Sequence, residues 1–266
     1  MPFHNQGEIR YYTFASLDGA PVKHGIFTRQ GGSSTRPWNT LNLGGTVGDD
    51  PQHVQENRRR VFEALGLHFD SLYDVWQVHS ADVVCTDRPR PQTQAHLKAD
   101  AILTDRPGVT LFMRFADCVP ILLYDPKRGV IGLVHAGWKG TISQIAAHTV
   151  HAMRRQYGSM PQDILAMIGP SIGPDHYEIG HEVTDQVRLA FGSRAESLLS
   201  PTDGDARSRL HLDLWSANTL VLIEAGVEQI ELSGICTACH LRDWYSHRAE
   251  HGQTGRFGAL FSLGDH

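Results

Sequence analysis

Apolar residues along this chain gather in short runs parted by turn residues, and such runs predict strands. Residues 8–14 and 22–28 read as two strands, with Asp18-Gly19-Ala20-Pro21 as the turn between them. Residues 29–48, rich in Gly, Ser, Thr and Asn, carry little periodicity and predict a long loop of the kind that often has a function. The middle of the chain predicts strands over 75–78, 82–86, 101–103, 110–115, 119–124 and 130–135. Asp125-Pro126-Lys127-Arg128-Gly129 supplies the turn between the last two.

Helical signals are fewer. Asp50 and Pro51 give an N-cap and a first-turn proline to a helix running to about residue 65, stopped by Gly66. A second helix is expected over 141–157, closed by Gly158, and a third over 182–191. Asp213 caps a fourth that ends before Gly226. Residues 164–168, 230–232 and 257–263 complete the strands. Strands in clusters with few helices between them predict α+β packing with mixed sheets, in one domain spanning 1–266 with its core at about 22–263.

Composition narrows the functional classes. A net charge of −5 over 266 residues gives no basic surface for nucleic acid or anionic lipid. No apolar run is long enough to span a bilayer, and Met1-Pro2-Phe3-His4 lacks the layout of a secretion signal, so a cytoplasmic protein without membrane or nucleic-acid partners is expected. Four cysteines in this length do not make a disulfide scaffold.

Three strand-end segments carry the chemistry: Gln77-Val78-His79-Ser80, Ala116-Asp117-Cys118-Val119-Pro120 and Leu133-Val134-His135-Ala136-Gly137-Trp138. Each puts one His or Cys at the end of an apolar run, where a fold can aim side chains at a common point. Two imidazoles and a thiolate suit Zn²⁺, and three protein ligands leave a position open, as catalytic zinc requires. Singly, each histidine reads as a hydrogen-bonded structural residue and Cys118 as an inert thiol. Asp117 alters that balance, because a carboxylate beside Cys118 is costly to bury without a partner or a task; proton transfer is a candidate task.

Other motifs are weaker. Gly137-Trp138-Lys139-Gly140-Thr141 misses the phosphate-loop pattern, since Trp138 parts the glycine from the lysine; Lys139 at the following helix start still offers anion binding. Cys236-Thr237-Ala238-Cys239-His240 is half of a zinc knuckle, with His247 and His251 nearby and no second cysteine pair. His148 and His151 share a helix face. Among Arg58, Arg59, Arg60, Arg248 and Arg256, an inward-turned guanidinium could grip phosphate or carboxylate.

Taken together, Asn42-Leu-Gly44, Val47-Gly-Asp49, Asn57-Arg58, Trp76-Gln-Val-His79, Ala99-Asp-Ala101, Ala116-Asp-Cys118-Val-Pro120, Val134-His-Ala-Gly-Trp138, Gly169-Pro-Ser-Ile-Gly173, Cys236-Thr237 and Thr254-Gly-Arg256 stand in a family's order. From about Val22 to Leu263 the chain resembles the laccase-domain family, once called multicopper polyphenol oxidoreductases and now regarded as zinc-dependent purine nucleoside phosphorylases. The resemblance implies a four-layer α/β/β/α sandwich, with His79, Cys118 and His135 as metal ligands. It implies phosphorolysis of adenosine, inosine, guanosine and 5′-methylthioadenosine, with adenosine deamination alongside. His79, Cys118, His135 and Asp117 are the expected catalytic set, and Arg58, Asn42, Lys139 and Arg256 the expected substrate contacts. Nucleosides and phosphate are the expected partners of a monomer or homodimer. After Tyr245-Ser246 this chain has His247-Arg248 where relatives often carry two arginines, which weakens the case for the second.

Two other enzyme classes compete. A copper polyphenol oxidase needs many histidines, commonly in His-x-His pairs, and none of the sixteen histidines forms one; Cu²⁺ could still occupy a mixed His/Cys site in vitro. A cysteine hydrolase acting on amides or peptidoglycan precursors would use Cys118 as nucleophile with His135 or His79 as base. A non-enzymatic zinc scaffold is disfavoured by the open coordination position.

Overall fold

In the computed structural model, residues 2–201 and 209–264 are described. In chain order the strands are β1 (Phe3–Gln6), β2 (Ile9–Tyr12), β3 (Val22–Phe27), β4 (Leu72–Tyr73), β5 (Val83–Cys85), β6 (Ala101–Thr104), β7 (Thr110–Phe115) and β8 (Val119–Asp125). They continue as β9 (Val130–Ala136), β10 (Leu165–Ile168), β11 (Glu178–Ile179), β12 (Leu199–Pro201), β13 (Leu210–Leu212), β14 (Gln229–Leu232) and β15 (Phe257–Leu263). The α-helices are α1 (Pro51–Ala64), α2 (Trp138–Ile142), α3 (Ile145–Tyr157), α4 (His181–Phe191) and α5 (Leu214–Glu224).

Alternation along the strands builds the layers. Leu111, Met113 and Phe115 of β7 and Phe257, Ala259 and Phe261 of β15 face Leu122, Tyr124, Ile131 and Leu133 across the gap between two sheets. The intervening Phe112 and Leu260 face the other way, onto Val61 and Phe62 of α1. On the second sheet, Ile121, Leu123, Val130 and Val134 turn outward to Val150 and Met153 of α3 and Val221 and Leu222 of α5. A slip of one residue would reverse every one of these placements, and burying each phenylalanine contributes about 1.5–3 kcal/mol, so the register is firmly specified.

The result is the expected α/β/β/α sandwich. One sheet runs β1-β2-β3-β15-β7-β4, the other β14-β10-β8-β9-β6-β5, and a small third runs β11-β13-β12. Both large sheets are mixed: β4 joins β7, β5 joins β6 and β14 joins β10 in parallel, while the other pairs are antiparallel. The Asp50 carboxylate accepts from the Gln52 N–H at the start of α1, and Asp213 accepts from the Ser216 N–H at the start of α5, as their positions predict. No helix among the described residues is long and apolar enough to cross a membrane.

Two expectations change, and β1, β4, β11, β12 and β13 are strands that were not expected. The helix expected over 141–157 is two helices, α2 and α3, parted at Gln144, whose φ of 57° interrupts the spiral. The strand expected over 75–78 is a loop with one bridge, Trp76 to Lys98. There the Gln77 side chain imitates a strand: its Oε1 accepts from the Arg114 N–H at 3.0 Å and its Nε2 donates to the Arg114 carbonyl at 2.8 Å. β1 was not expected, because its sequence, Phe-His-Asn-Gln, is mostly polar and exposed.

Candidate active site

His135 lies on the last turn of pleat in β9, Cys118 in the turn between β7 and β8, and His79 in the loop between β4 and β5. These neighbouring chain ends bring the three ligand atoms within 4.8 Å of one another. Cys118 Sγ is 3.8 Å from His79 Nε2, and the imidazole centroids are 4.9 Å apart. Gly137 permits the approach: a Cβ there would meet Cys118 Sγ and His79 Cδ2, each at 2.9 Å.

Asp100, at the entry to β6, organises this cluster. Its Oδ1 lies 2.8 Å from His135 Nδ1, which leaves Nε2 of that ring for the site. Its Oδ2 accepts from the N–H groups of Val78 and Ser80, at 3.1 and 2.6 Å, and from the Ser80 hydroxyl. His79 stands between those two amides with φ 60°, a left-handed conformation that costs a non-glycine residue about 1–2 kcal/mol. One buried carboxylate thus holds the strained loop and orients the second imidazole. Burial alone would raise its pKa, but His135 and the donated hydrogen bonds keep it below the usual carboxylate value.

Asp117 does a similar job on the opposite side. It too is left-handed, at φ 79°. Its Oδ1 accepts from the Thr237 hydroxyl and its Oδ2 from the Arg248 N–H, both at 2.7 Å. Both oxygens therefore bind the surrounding loops, and the residue lies outside the cavity wall.

Electrostatically, Cys118 and His135 form a pair. Burial pushes the thiol up, but the two imidazoles, His135 foremost, bring it down to about 6. Burial pushes His135 down, and the Cys118 sulfur together with Asp100 raises it to about 9. The thiolate, which is the nucleophilic and metal-binding form, is accordingly favoured at neutral pH.

The cluster forms one end of a cavity of about 510 Å³. Three guanidiniums, from Arg58, Arg114 and Arg256, line the same space with the Gly44-Gly45-Thr46 backbone, His96, His247 and Trp76. Arg58 donates Nε–H to the Leu43 carbonyl at 3.0 Å. Burial and the neighbouring Arg114 lower its pKa to about 10, which leaves it charged at neutral pH. Arg114 is anchored by Asp74 at 3.0 Å, and that fully buried carboxylate also binds Arg90 and His96. Arg58 and Arg256 make no direct ion pair with a carboxylate among the described residues, so their guanidiniums are placed to bind an anion.

The expected substrate contacts divide accordingly. Arg58 and Arg256 reach the cavity. Asn42 is fully buried behind it, its Oδ1 accepting from the N–H groups of Gly44 and Arg256. Lys139 is exposed beside Trp138 and outside the wall, and α2 begins before it, at Trp138. The His148 ring approaches the Ala81 carbonyl, at 3.4 Å, and lies outside the cavity wall. Sequence reasoning passed over Arg114 and His96, and gave Trp76 and Asp100 no role beyond their place in the motifs Trp76-Gln-Val-His79 and Ala99-Asp-Ala101. For Arg114 the signal was present, a cation within the apolar run Thr110–Phe115.

Paired sheets with a His/Cys/His cluster between them are what the resemblance to the laccase-domain family implies. Residues 23–264 match the family described as multi-copper polyphenol oxidoreductase laccase, and the chain belongs to that family. It is 41% identical to a Deinococcus radiodurans protein named purine nucleoside phosphorylase over 242 residues, 91% of this chain and 89% of that one. It is 38% identical to the Bacillus subtilis purine nucleoside phosphorylase YlmD over 96% of this chain and 93% of that one. The crystal structure of YlmD from Geobacillus stearothermophilus superposes with a TM-score of 0.91 at 34% identity, over 99% of each chain.

Proposed function

We propose that this chain is a zinc-dependent purine nucleoside phosphorylase acting on adenosine, inosine, guanosine and 5′-methylthioadenosine, with adenosine deamination as a companion reaction. The observation that carries the reading is the union, in one cavity, of a three-donor His/Cys/His cluster with an arginine-lined wall. Phosphorolysis needs both ends, one to bind an oxyanion and one to act where the nucleoside reacts. The relatives named purine nucleoside phosphorylase support it.

The donor set fits zinc. Two imidazoles and a thiolate satisfy its preference, three protein donors leave a position free, and Asp100 supplies the outer carboxylate such sites use to fix a ligating imidazole. Zinc held by His79, Cys118 and His135 would supply Lewis acidity and acidify a water toward pH 7. The chain's own groups do the remainder. Arg58 and Arg256 hold phosphate as a dianion facing the ribose, with Arg114 fixed behind them by Asp74. A phosphate oxygen bonds to C1′ while the C1′–N9 bond breaks, and the electron pair of that bond passes to the purine. Trp76, half exposed at the rim, offers a face on which the base can stack. The deamination reading needs an arrangement different from that of known zinc nucleobase deaminases: the one His-x-Glu of the sequence, His176-Tyr177-Glu178, lies outside the cavity wall, and no Pro-Cys-x-x-Cys follows it.

Liquid chromatography of inosine or adenosine incubated with phosphate tests the proposal. Free base and ribose 1-phosphate should appear together and disappear on chelation and in Cys118→Ala. Nucleosides that stay intact with the metallated protein would overturn it.

One arrangement favours a second reading. Cys118, His135 and Asp100 stand as nucleophile, base and orienting acid, with the thiol already lowered to about 6. A cysteine-dependent amide hydrolase would use them so, and it would survive chelation whereas the phosphorylase would not.

A further inference from the structure

Away from the cavity, Asp175, His176, Cys236 and Cys239 bring four donor atoms within 4.8 Å of one another. The sequence offers half of this group in its Cys-x-x-Cys; the other half comes from a turn some sixty positions earlier, where His176 rather than His240 faces the sulfurs. His176 Nδ1 lies 3.8 Å from Cys236 Sγ and 3.6 Å from Cys239 Sγ. Asp175 Oδ2 lies 3.7 Å from Cys239 Sγ and 3.1 Å from His176 Nδ1. Metal–sulfur bonds of about 2.3 Å and metal–nitrogen or –oxygen bonds of about 2.0–2.2 Å give a tetrahedron with edges of about 3.3–3.8 Å. The three separations to sulfur, 3.6–3.8 Å, match those edges, and the His176–Asp175 separation of 3.1 Å is somewhat shorter.

We propose that Asp175, His176, Cys236 and Cys239 form a second zinc site, structural in character. Three features argue for a metal over a set of hydrogen bonds. A single imidazole nitrogen faces two sulfurs and a carboxylate and can bond well to only one of them. The Gly173 N–H donates to Cys236 Sγ at 3.2 Å, which fixes the position of that sulfur beside the other donors. The backbone at Gly173 approaches the donors closely: a Cβ there would meet Asp175 Oδ1 at 2.7 Å and Cys236 Sγ at 3.2 Å. All four cysteines of the chain are free, so no disulfide competes for these sulfurs.

The donor count sets the role. Four protein donors close a zinc coordination sphere, which leaves no position for substrate. The two ligand-bearing segments also converge on Asp117: the Ile172 N–H donates to its carbonyl at 3.0 Å, and Thr237 donates to its carboxylate. They already touch through the parallel bridge between Ser171 and Cys236. A metal here pins both segments behind the residue that precedes Cys118, and so fixes the cavity's Cys118 wall without entering it.

Titration of reduced, metal-free protein with Zn²⁺ tests this. The wild type should take two equivalents, Cys118→Ala one and Cys239→Ala one. Co²⁺ added to Cys118→Ala should give the intense visible bands and thiolate charge-transfer absorption of a tetrahedral sulfur site, lost in the Cys118→Ala/Cys239→Ala double variant. An equivalent retained by Cys118→Ala supports the site whatever the cavity cluster binds. If Cys239→Ala fails to fold, Asp175→Ala, at an exposed carboxylate, should weaken the same equivalent. Cys118→Ala that binds no Zn²⁺, or a Cys236–Cys239 disulfide that excess Zn²⁺ does not prevent, would overturn the proposal.

Discussion

The His/Cys clusters use the same elements to opposite ends. In the cavity, three donors leave room for substrate, and a buried carboxylate, Asp100, sits behind them and orients them. At the surface, the carboxylate of Asp175 lies among the donors themselves and completes the set. Moving one acid from behind the ligands to among them converts an open site into a closed one. The first can do chemistry; the second can only hold a fold.

Mutations that break or sharpen this contrast should scale accordingly. Cys118→Ala removes a donor from the open site and should reduce kcat by about 10³-fold or more, equivalent to losing several kcal/mol of transition-state stabilisation, as measured by product release at saturating nucleoside. Asp100→Asn keeps its size but loses the charge behind His135 and weakens the acceptor for Val78 and Ser80. Metal affinity and activity should each fall about 10–100-fold, read by competitive chelation and by rate. Arg58→Lys keeps charge and loses the planar fork, so KM for phosphate should rise about tenfold with kcat nearly intact. Cys239→Ala should leave kcat close to wild type. Its signature is in melting, where Zn²⁺ at a hundredfold excess over Kd adds about 2.7 kcal/mol per site and one such increment should be missing.

A pH experiment separates the cysteines. In metal-free protein, Cys118 is an acid whose folded pKa lies below its ordinary value, so the thiolate appears as pH rises through about 6. Alkylation by iodoacetamide should follow that rise, and Zn²⁺ should suppress it. Burial pushes Cys85 the other way, so its alkylation should begin only at more alkaline pH.

Much of this was legible in the chain. The limits of β15 follow from a largely apolar run over 257–263, and Asp50-Pro51 marks the start of α1. His79, Cys118 and His135 could be paired because each ends a readable strand-like run. What escaped depends on contacts distant in sequence. Gln77 replaces a strand's backbone with its own amide, which no periodicity reports. His176 meets Cys236 only because Ser171 bridges to it. Gln144 breaks a helix at a position where its residue type gives no warning. Asp100 stood in the sequence only as the middle of Ala99-Asp-Ala101, and only its geometry shows that it organises the site.

Phosphorus NMR of inosine and phosphate with the purified protein, recorded before chelation, after it, and after Zn²⁺ is restored, tests the central claim most directly. The account predicts a growing ribose 1-phosphate resonance matched by hypoxanthine, abolished by chelation and recovered with zinc. A resonance that persists unchanged after complete metal removal, or its absence throughout from folded, zinc-loaded protein, would contradict it.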